Sequence, residues 1–258
     1  MIKNKIIKYL KEEIDEDVYI PPHYFDSNTT IDKQKENNIV DKTENTSFIP
    51  ESDNNISKYK LLQELEAEVK KCKKCPLGLS RIKPVFGVGN PNALVMFIGE
   101  GPGWEEDHKG EPFVGKAGHL LDMILASIGL SREKVYIANI VKCHPMINPQ
   151  TPQARGNDRP PTPIEISKCR SYLEDQIKII KPKCIVTLGN TATRVMLNET
   201  KGVSALRGKF YDLPPNLIFN FEIKILPTYH PAALLRNPNL KRDTWEDMKM
   251  LRDWLKGQ

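Results

Sequence analysis

The sequence has no apolar run long enough to span a membrane. Its 258 residues have a mean hydropathy of −0.47, and no segment approaches the roughly 18 consecutive apolar residues that a span needs. The N-terminus also lacks the continuous apolar stretch of a secretory signal, because Lys3, Lys5 and Lys8 interrupt it. These absences predict a cytoplasmic protein with no membrane partner.

Cysteine is scarce and odd in number, which argues against a secreted disulfide framework. The chain has five Cys, and two of them form Cys72-Lys-Lys-Cys75, so a reducing compartment and a metal or redox site are expected. With Cys143 and Cys169, this pair permits a four-thiolate site that holds zinc or an iron–sulfur cluster, and spacing alone does not separate the two. Cys184 begins an apolar strand and is interpreted as an inert core thiol.

Two common nucleotide-binding loops are missing. No GxxxxGK[ST] segment exists, which excludes a phosphate-loop ATPase. The turn Gly99–Gly103 (GEGPG) departs from GxGxxG and is followed by an acidic run that would repel a pyrophosphate, so a dinucleotide site is disfavoured.

Charge is divided unevenly along the chain. Residues 1–57 carry 7 Lys and 12 Asp+Glu, a net charge of −5, whereas residues 58–258 carry 31 Lys+Arg and 21 Asp+Glu, a net charge of +10. An uneven solvated surface would explain this difference, but so would a body that binds a polyanion such as nucleic acid.

The same boundary separates two regions of different pattern. Residues 1–57 are predicted to be an acidic extension, with a short amphipathic helix over 1–17 and a polar, disordered linker over 21–55. Residues 58–258 are predicted to form one folded domain, which begins with a helix over Tyr59–Lys70.

Apolar strands alternate with helices through this domain. The predicted strands are Ala93–Ile98, Val135–Val141, Cys184–Leu188 and Glu222–Leu226, and the predicted helices are Lys116–Ser127, Pro163–Ile180, Gly189–Leu197 and Asp243–Leu255. This alternation predicts an α/β fold with a parallel sheet covered on both faces.

The predicted strands end in residues typical of a binding site. These ends are the glycine turn at Gly99, Asn139, the pair Gly189-Asn190, and His230. Because ligands bind beyond the carboxyl ends of parallel strands, we expect these residues to meet at one site.

Five motifs occur in an order that resembles the iron–sulfur uracil-DNA glycosylases known as family 4. They are Cys72–Cys75, Gly99–Asp107, Gly110–Gly118, Asn139–Cys143 and His230–Arg236, and the resemblance covers about residues 60–255. It implies a three-layer α/β/α fold with a central four-stranded parallel sheet, and a monomer that removes uracil from single- or double-stranded DNA in base excision repair. The extension 1–57 has no counterpart in the family pattern and is a candidate contact for a replication or repair protein.

The resemblance also implies a [4Fe–4S] cofactor and its ligands. The ligands would be Cys72, Cys75, Cys143 and Cys169. Twenty-five residues separate the last two, more than is usual in the family, because of an extra stretch at about 149–158. Cys184 therefore stays an alternative fourth ligand.

The remaining roles are carried over by motif position. Phe113 would stack on the flipped base, Asn139 would read its Watson–Crick edge, and His230 would face its O2 atom. Glu106 is the first candidate for the carboxylate near the sugar and Glu100 the second, with Gly101 in the same turn where better-known uracil glycosylases have an Asp. Leu235, or else Leu234, would wedge between base steps beside Arg236.

Two other functions fit parts of the pattern. One is a non-catalytic nucleic-acid-binding module with a structural zinc or iron–sulfur site. The other is a glycosylase for further deaminated bases, such as hypoxanthine or xanthine. The uracil enzyme is favoured over the non-catalytic module by Phe113, Asn139 and His230. It is favoured over a glycosylase for other bases by Asn139.

Overall fold

A computed structural model describes residues 53–214, 217 and 219–258 of the chain. The predicted helix over 1–17 lies outside these residues, as does nearly all of the predicted linker over 21–55. The last residues of that linker are helical, because helix α1 (Asp53–Lys71) begins at Asp53. The division at residue 57 stays a prediction.

A six-stranded sheet forms the centre of the domain. Its strands are β1 (Val88–Gly89), β2 (Val95–Gly99), β3 (Tyr136–Asn139), β4 (Cys184–Leu188), β5 (Tyr211–Asp212) and β6 (Lys224–Thr228). Their order across the sheet is β1-β3-β2-β4-β6-β5. The four inner strands are parallel, and the short edge strands β1 and β5 pair antiparallel to their neighbours. The predicted four parallel strands are thus confirmed as the centre of a wider sheet.

Eight further helices belong to the described part of the chain. They are α2 (Leu77–Ser80), α3 (Trp104–Lys109), α4 (Lys116–Ser127), α5 (Pro163–Ile180), α6 (Gly189–Leu197), α7 (Val203–Leu206), α8 (Pro231–Arg236) and α9 (Leu240–Leu255). None of the described helices is long and apolar enough to cross a bilayer.

Two apolar cores cover opposite faces of the sheet. Alternate strand residues point to opposite sides, so Met96 and Ile98 of β2 join one core while Val95 and Phe97 join the other. Helices α1, α5 and α6 pack on the first face, and α4 and α9 pack on the second. This is the predicted three-layer α/β/α architecture.

Local sequence signals explain why α5 matches its predicted bounds. The Thr162 hydroxyl accepts a hydrogen bond from the Glu165 N–H, the Glu165 carboxylate accepts one from the Thr162 N–H, and Pro163 occupies the first turn. Arg159 binds the same carboxylate with two hydrogen bonds of 2.7 and 2.8 Å. The start of α5 is therefore fixed by the residues immediately before it.

The first predicted strand, Ala93–Ile98, is observed at Val95–Gly99, and the second and fourth predicted strands also differ from the observed ones at their ends. Strand β3 stops at Asn139 rather than Val141, because its neighbour β2 ends at Gly99 and gives way to the glycine turn. Strand β6 continues through Pro227 to Thr228. These last two residues pair with β4 and not with β5. Both shifts bring polar residues directly to the end of the sheet.

Candidate active site and cysteine cavity

All four parallel strands end at one cleft of about 590 Å³. Its lining includes the strand-end residue Gly189 and seven of the predicted site residues: Glu100, Gly101, Glu106, Phe113, Asn139, His230 and Arg236. The prediction that the strand ends meet at one site is confirmed, because the parallel sheet brings distant segments to the same edge.

Asn139 lines this cleft and carries an unpaired side-chain acceptor. Its side chain is only 2% exposed, and its Oδ1 atom is buried with no hydrogen-bond partner among the described residues. Because buried polar atoms are nearly always paired, an orphaned acceptor in a cleft indicates a place for a ligand's N–H group. Gly99 leaves room for it, since a Cβ there would lie 2.6 Å from the Phe113 ring and closer still to Asn139.

Phe113 has a left-handed backbone conformation, with φ of 55°. Such a conformation is strained for an aromatic residue and persists only where surrounding contacts enforce it. Arg132 supplies some of these contacts by donating hydrogen bonds to the carbonyl oxygens of Pro112 and Phe113. The ring consequently lies at the cleft and stacks on His230, with centroids 5.4 Å apart.

The Glu106 carboxylate holds the same loop. Its Oε1 atom accepts hydrogen bonds from the N–H groups of Val114 and Gly115 at 2.9 and 3.1 Å, and its Oε2 atom accepts one from Gly103 at 3.1 Å. Three backbone donors thus bind one carboxylate, which ties the glycine turn to the Phe113 loop.

The Glu100 carboxylate has a simpler environment. It follows β2 directly, lines the cleft, and accepts a hydrogen bond from the Thr191 hydroxyl on α6. Next to it, Gly101 has no room for a side chain, because a Cβ would lie 2.8 Å from Cγ2 of Val141. A neighbouring methyl group therefore fills the space that a side chain at this position would need.

His230 is fixed in one tautomer by the helix that it caps. Its Nδ1 atom accepts a hydrogen bond of 3.1 Å from the Ala232 N–H at the start of α8. Nδ1 therefore carries no proton, and in the neutral ring the proton is on Nε2. Burial, assisted by the positive charge of Arg236, lowers the pKa of His230 to about 4. At neutral pH this residue is an uncharged hydrogen-bond donor.

We expect the reaction rate to show no titration of His230 between pH 5 and 8. The residue gains its proton only near pH 4, so its charge is constant across that range. The pH dependence is measured as single-turnover rates over this range for the native chain and for His230→Gln. An acidic limb near pH 6.5 that His230→Gln removes would contradict the assignment, because it would report an ordinary histidine.

The two leucines of α8 have different environments. Leu234 is 2% exposed and packs with Val203 and Tyr229, whereas Leu235 is 50% exposed. Arg236 follows at the cleft. Of the two candidates for a wedge, the structure therefore leaves only Leu235 accessible to a partner.

Four cysteines line a second, smaller cavity. They are Cys72, Cys75, Cys143 and Cys169, and they come from the end of α1, the turn before α2, the segment after β3, and α5. Cys184 is fully buried in the core on the opposite face of the sheet. This placement favours Cys169 over Cys184 as the fourth thiolate of one site.

The described residues show no group of side chains arranged around one metal ion. Among residues 53–214, 217 and 219–258, no three His, Cys, Asp or Glu side chains are close enough to hold one metal ion. In a cubane cluster each thiolate binds a different iron, so the sulfur atoms are further apart than around one zinc ion.

Four cationic residues line the cysteine cavity, Lys74, Arg81, Lys142 and Lys168, and two of them donate hydrogen bonds to its sulfur atoms. The Arg81 guanidinium donates a hydrogen bond of 3.0 Å to Cys143 Sγ, and the Lys142 backbone N–H donates one of 3.3 Å to Cys169 Sγ. Burial raises the pKa of the Cys143 thiol to about 12, against the effect of Arg81, and it also raises the pKa of Cys169. Burial lowers the pKa of Lys142 to about 8.

The chain is similar to known proteins over most of this domain. Residues 86–249 match the model of the uracil DNA glycosylase superfamily. A type-4 uracil-DNA glycosylase of Archaeoglobus fulgidus is 41% identical over 194 residues, which cover 74% of this chain and 91% of the relative. The chain belongs to the type-4 uracil-DNA glycosylases.

Further type-4 relatives support the same family. The protein of Sulfurisphaera tokodaii is 42% identical over 74% of this chain and 84% of its own length. That of Thermotoga maritima is 40% identical over 78% of this chain and 98% of its own length. The family resemblance inferred from the motifs is confirmed.

In this type-4 glycosylase the extra stretch after Cys143 forms a hairpin-like loop, here called the insertion hairpin (146–158). Met146 and Asp158 pair as an isolated antiparallel bridge, and the Ile147 N–H donates to the Asn157 carbonyl at 2.8 Å. The Trp104 indole N–H donates to the Gln153 carbonyl, which fastens the loop to α3. None of the residues of the insertion hairpin lines the cysteine cavity, because the hairpin folds over α3.

Sequence reasoning missed a buried histidine beside the glycosylase cleft. His144 is 0% exposed, with Nε2 2.6 Å from Asp158 Oδ1 and Nδ1 3.6 Å from Asp107 Oδ2. Burial alone would lower the pKa of His144, but the two carboxylates prevail and raise it to about 9. Its only signal in the sequence is its position directly after Cys143. The contact between His144 and Asp158 fastens the end of the insertion hairpin to the turn that follows β3.

Proposed function

We propose that this chain hydrolyses the N-glycosidic bond of uracil in DNA and leaves an abasic site for base excision repair. The observation that carries the proposal is the orphaned Oδ1 atom of Asn139 in the cleft. Uracil offers an N–H at N3 and an acceptor at O4, which match the acceptor and donor of one amide group. Cytosine offers the opposite pattern, so a fixed amide would reject it by leaving polar groups unpaired.

The target base must leave the stack before it can reach Asn139. Extrusion costs a few kcal/mol, and stacking on an aromatic ring offsets part of that cost. Phe113 is the aromatic residue at the cleft beside Asn139, since Gly99 brings the two side chains together. The strained loop holds its ring in place before DNA arrives.

Bond cleavage develops positive charge on the sugar and negative charge on the departing base. We assign the carboxylate that faces the sugar to Glu100, with Glu106 as a positioning residue. Glu106 binds three backbone N–H groups, so its lone pairs already serve the loop, whereas Glu100 binds one hydroxyl and lines the cleft. A carboxylate at this place stabilises the cationic sugar or orients the attacking water.

His230 is proposed to stabilise the leaving base. A neutral imidazole that donates from Nε2 can hydrogen bond to the O2 atom of uracil as negative charge develops there. The hydrogen bond at Nδ1 fixes the donor in advance, so no proton has to be gained first.

The cysteine cavity is proposed to hold a [4Fe–4S] cluster through Cys72, Cys75, Cys143 and Cys169. A bound cluster would cross-link the end of α1, the segment after β3, and α5, and so stabilise the fold beside the cleft. Arg81 and Lys142 would place positive charge against the thiolates.

DNA is the partner that this arrangement implies. The net charge of +10 on residues 58–258 coincides with the span of the family motifs, so binding should weaken with added salt. Leu235 is proposed to enter the stack where the base leaves, with Arg236 near a phosphate.

We expect Leu235→Ala to lower excision from duplex DNA about tenfold and to change excision from single strands little. The Leu235 side chain, inserted between base steps, offsets the free-energy cost of unstacking. That cost is a few kcal/mol in a duplex and much less in a single strand. Paired assays on U·A duplex and on the same strand alone measure the difference. Leu79→Ala, at a residue that is 71% exposed on α2, is the matched control. An equal loss on both substrates would remove Leu235 as the wedge.

The activity itself is tested on an oligonucleotide with one uracil, followed by alkali. The native chain should yield a strand break at the uracil, and strands with cytosine or hypoxanthine at that place should stay intact. Glu100→Gln, which keeps the size of the side chain, should reduce the break strongly. No break with the native chain would overturn the proposed function. A native rate in Glu100→Gln would overturn only the role of that carboxylate.

A further inference from the structure

Lys142 is a buried lysine that lines the cysteine cavity and hydrogen bonds to Asn139, a residue of the uracil cleft. Its side chain is 1% exposed and is one of the largest fully buried side chains among the described residues. Its Nζ atom donates a hydrogen bond of 2.9 Å to the backbone carbonyl of Asn139, and its backbone N–H donates one of 3.3 Å to Cys169 Sγ. Lys142 thus contacts both Asn139, which is proposed to recognise the base, and Cys169, a proposed cluster ligand.

The ammonium group of Lys142 has no negative side chain as its hydrogen-bond partner. Its two acceptors in the described part of the chain are neutral, the Asn139 carbonyl and the Gln176 amide oxygen at 2.6 Å. The Gln176 amide is held in turn, because its Nε2 atom donates to the Phe86 carbonyl and to the Tyr136 hydroxyl. An uncompensated buried charge costs several kcal/mol, so a nearby anion is expected.

The cysteine cavity offers that anion. Lys142 lines the cavity together with Cys72, Cys75, Cys143 and Cys169. Four thiolates around an iron–sulfur core leave a net negative charge, and the Arg81 guanidinium, hydrogen bonded to Cys143 Sγ, places a second cation at the same cavity. The buried positive charge of Lys142 therefore lies beside the place where the negative charge of the cluster would be.

We propose that Lys142 is a positioning residue that couples the cluster to uracil recognition. Its ammonium group is the buried countercharge of the thiolate-ligated cluster, and the same group holds the Asn139 carbonyl in place. The segment Asn139–Cys143 carries the base reader at one end and a ligand at the other, and the Lys142 side chain closes it into a compact turn. This inference rests on the cluster and the uracil cleft proposed above.

The test compares Lys142→Met with Lys168→Met. Both substitutions remove a positive charge next to the same cavity, but Lys168 is exposed, so water screens its effect. Iron per chain, the midpoint potential of the cluster and the single-turnover rate on a uracil strand are measured for each. Lys142→Gln, which removes the charge but keeps a shorter N–H donor, separates the two roles.

We expect Lys142→Met to shift the midpoint potential to more negative values, because loss of a nearby cation disfavours the reduced cluster. The excision rate should fall about tenfold or more, since a small displacement of a positioning group is costly. Lys142→Gln should share the shift in potential and recover part of the rate. Lys168→Met should match the native chain in both. Loss of iron from Lys142→Met alone would also support the countercharge.

Two results would overturn the inference, and they can be told apart. A native chain that binds no iron would overturn the proposed cluster and this coupling with it. A native chain with a full cluster, combined with a Lys142→Met variant that matches Lys168→Met in potential and rate, would overturn the coupling alone.

Discussion

Asn139→Ala should lower the rate of uracil excision by about 10²–10³-fold, the range found when one preorganised hydrogen-bonding group is removed from an active site. The loss follows from the position of the amide, which is buried at the end of β3 with a free acceptor in the cleft. Without it, the N3–H and O4 groups of an extruded uracil would be desolvated and unpaired. Single-turnover kinetics with saturating enzyme isolate this step from DNA binding.

Two further variants sharpen the result. Asn139→Asp keeps the shape and one acceptor but loses the N–H donor, so it should also lose most uracil activity. Asn220→Ala, at an exposed residue just before β6, is the matched control and should retain the native rate. A native rate for Asn139→Ala would exclude this residue as the reader of the base.

The second large effect is expected at the cysteines. Cys169→Ala should lose most of its iron and lower the melting temperature by about 10–20 °C, because loss of a metal site costs several kcal/mol in a domain of this size. Cys184→Ala should keep its iron. Cys184 lies in the apolar core across the sheet, so its loss only removes a small buried side chain. Iron content and thermal unfolding of the two purified variants provide the comparison.

This pair of variants tests which thiol is the fourth ligand. Full iron in Cys169→Ala, with loss of iron from Cys184→Ala, would contradict the proposed ligand set. Loss of visible absorbance in parallel with iron would separate a cluster from a zinc site.

The inner strands and the long helices were predictable because their signals are local. Strand β4 is a continuous apolar run, and α5 begins at a proline inside a capping box, so both have their predicted bounds. The edge strands β1 and β5 were missed, since two residues are too few to show a period. Their pairing depends on the neighbouring strand rather than on their own sequence.

The residues of the cleft were predictable for the same reason that the fold was. A parallel sheet brings its strand ends together, and the motifs lie at those ends. The roles of Glu106, Lys142 and His144 were not predictable, because each depends on contacts that only the folded chain creates. In the sequence, Glu106 is one of three consecutive acidic residues, and Lys142 is one cation in a basic body. Only the fold shows that the first binds three N–H groups and that the second is buried.

The insertion hairpin also has a consequence for how chain length can vary in this family. Its ends meet at the bridge between Met146 and Asp158, and Arg159 continues directly into the start of α5. The residues between these ends close a loop without changing the distance that Cys143 and Cys169 must span. The entropy of closing such a loop grows only as the logarithm of its length, by about 0.6 kcal/mol for each doubling. Residues can therefore be gained or lost at the tip of this hairpin at small thermodynamic cost, and the spacing of the two cysteines in sequence does not measure their distance in space.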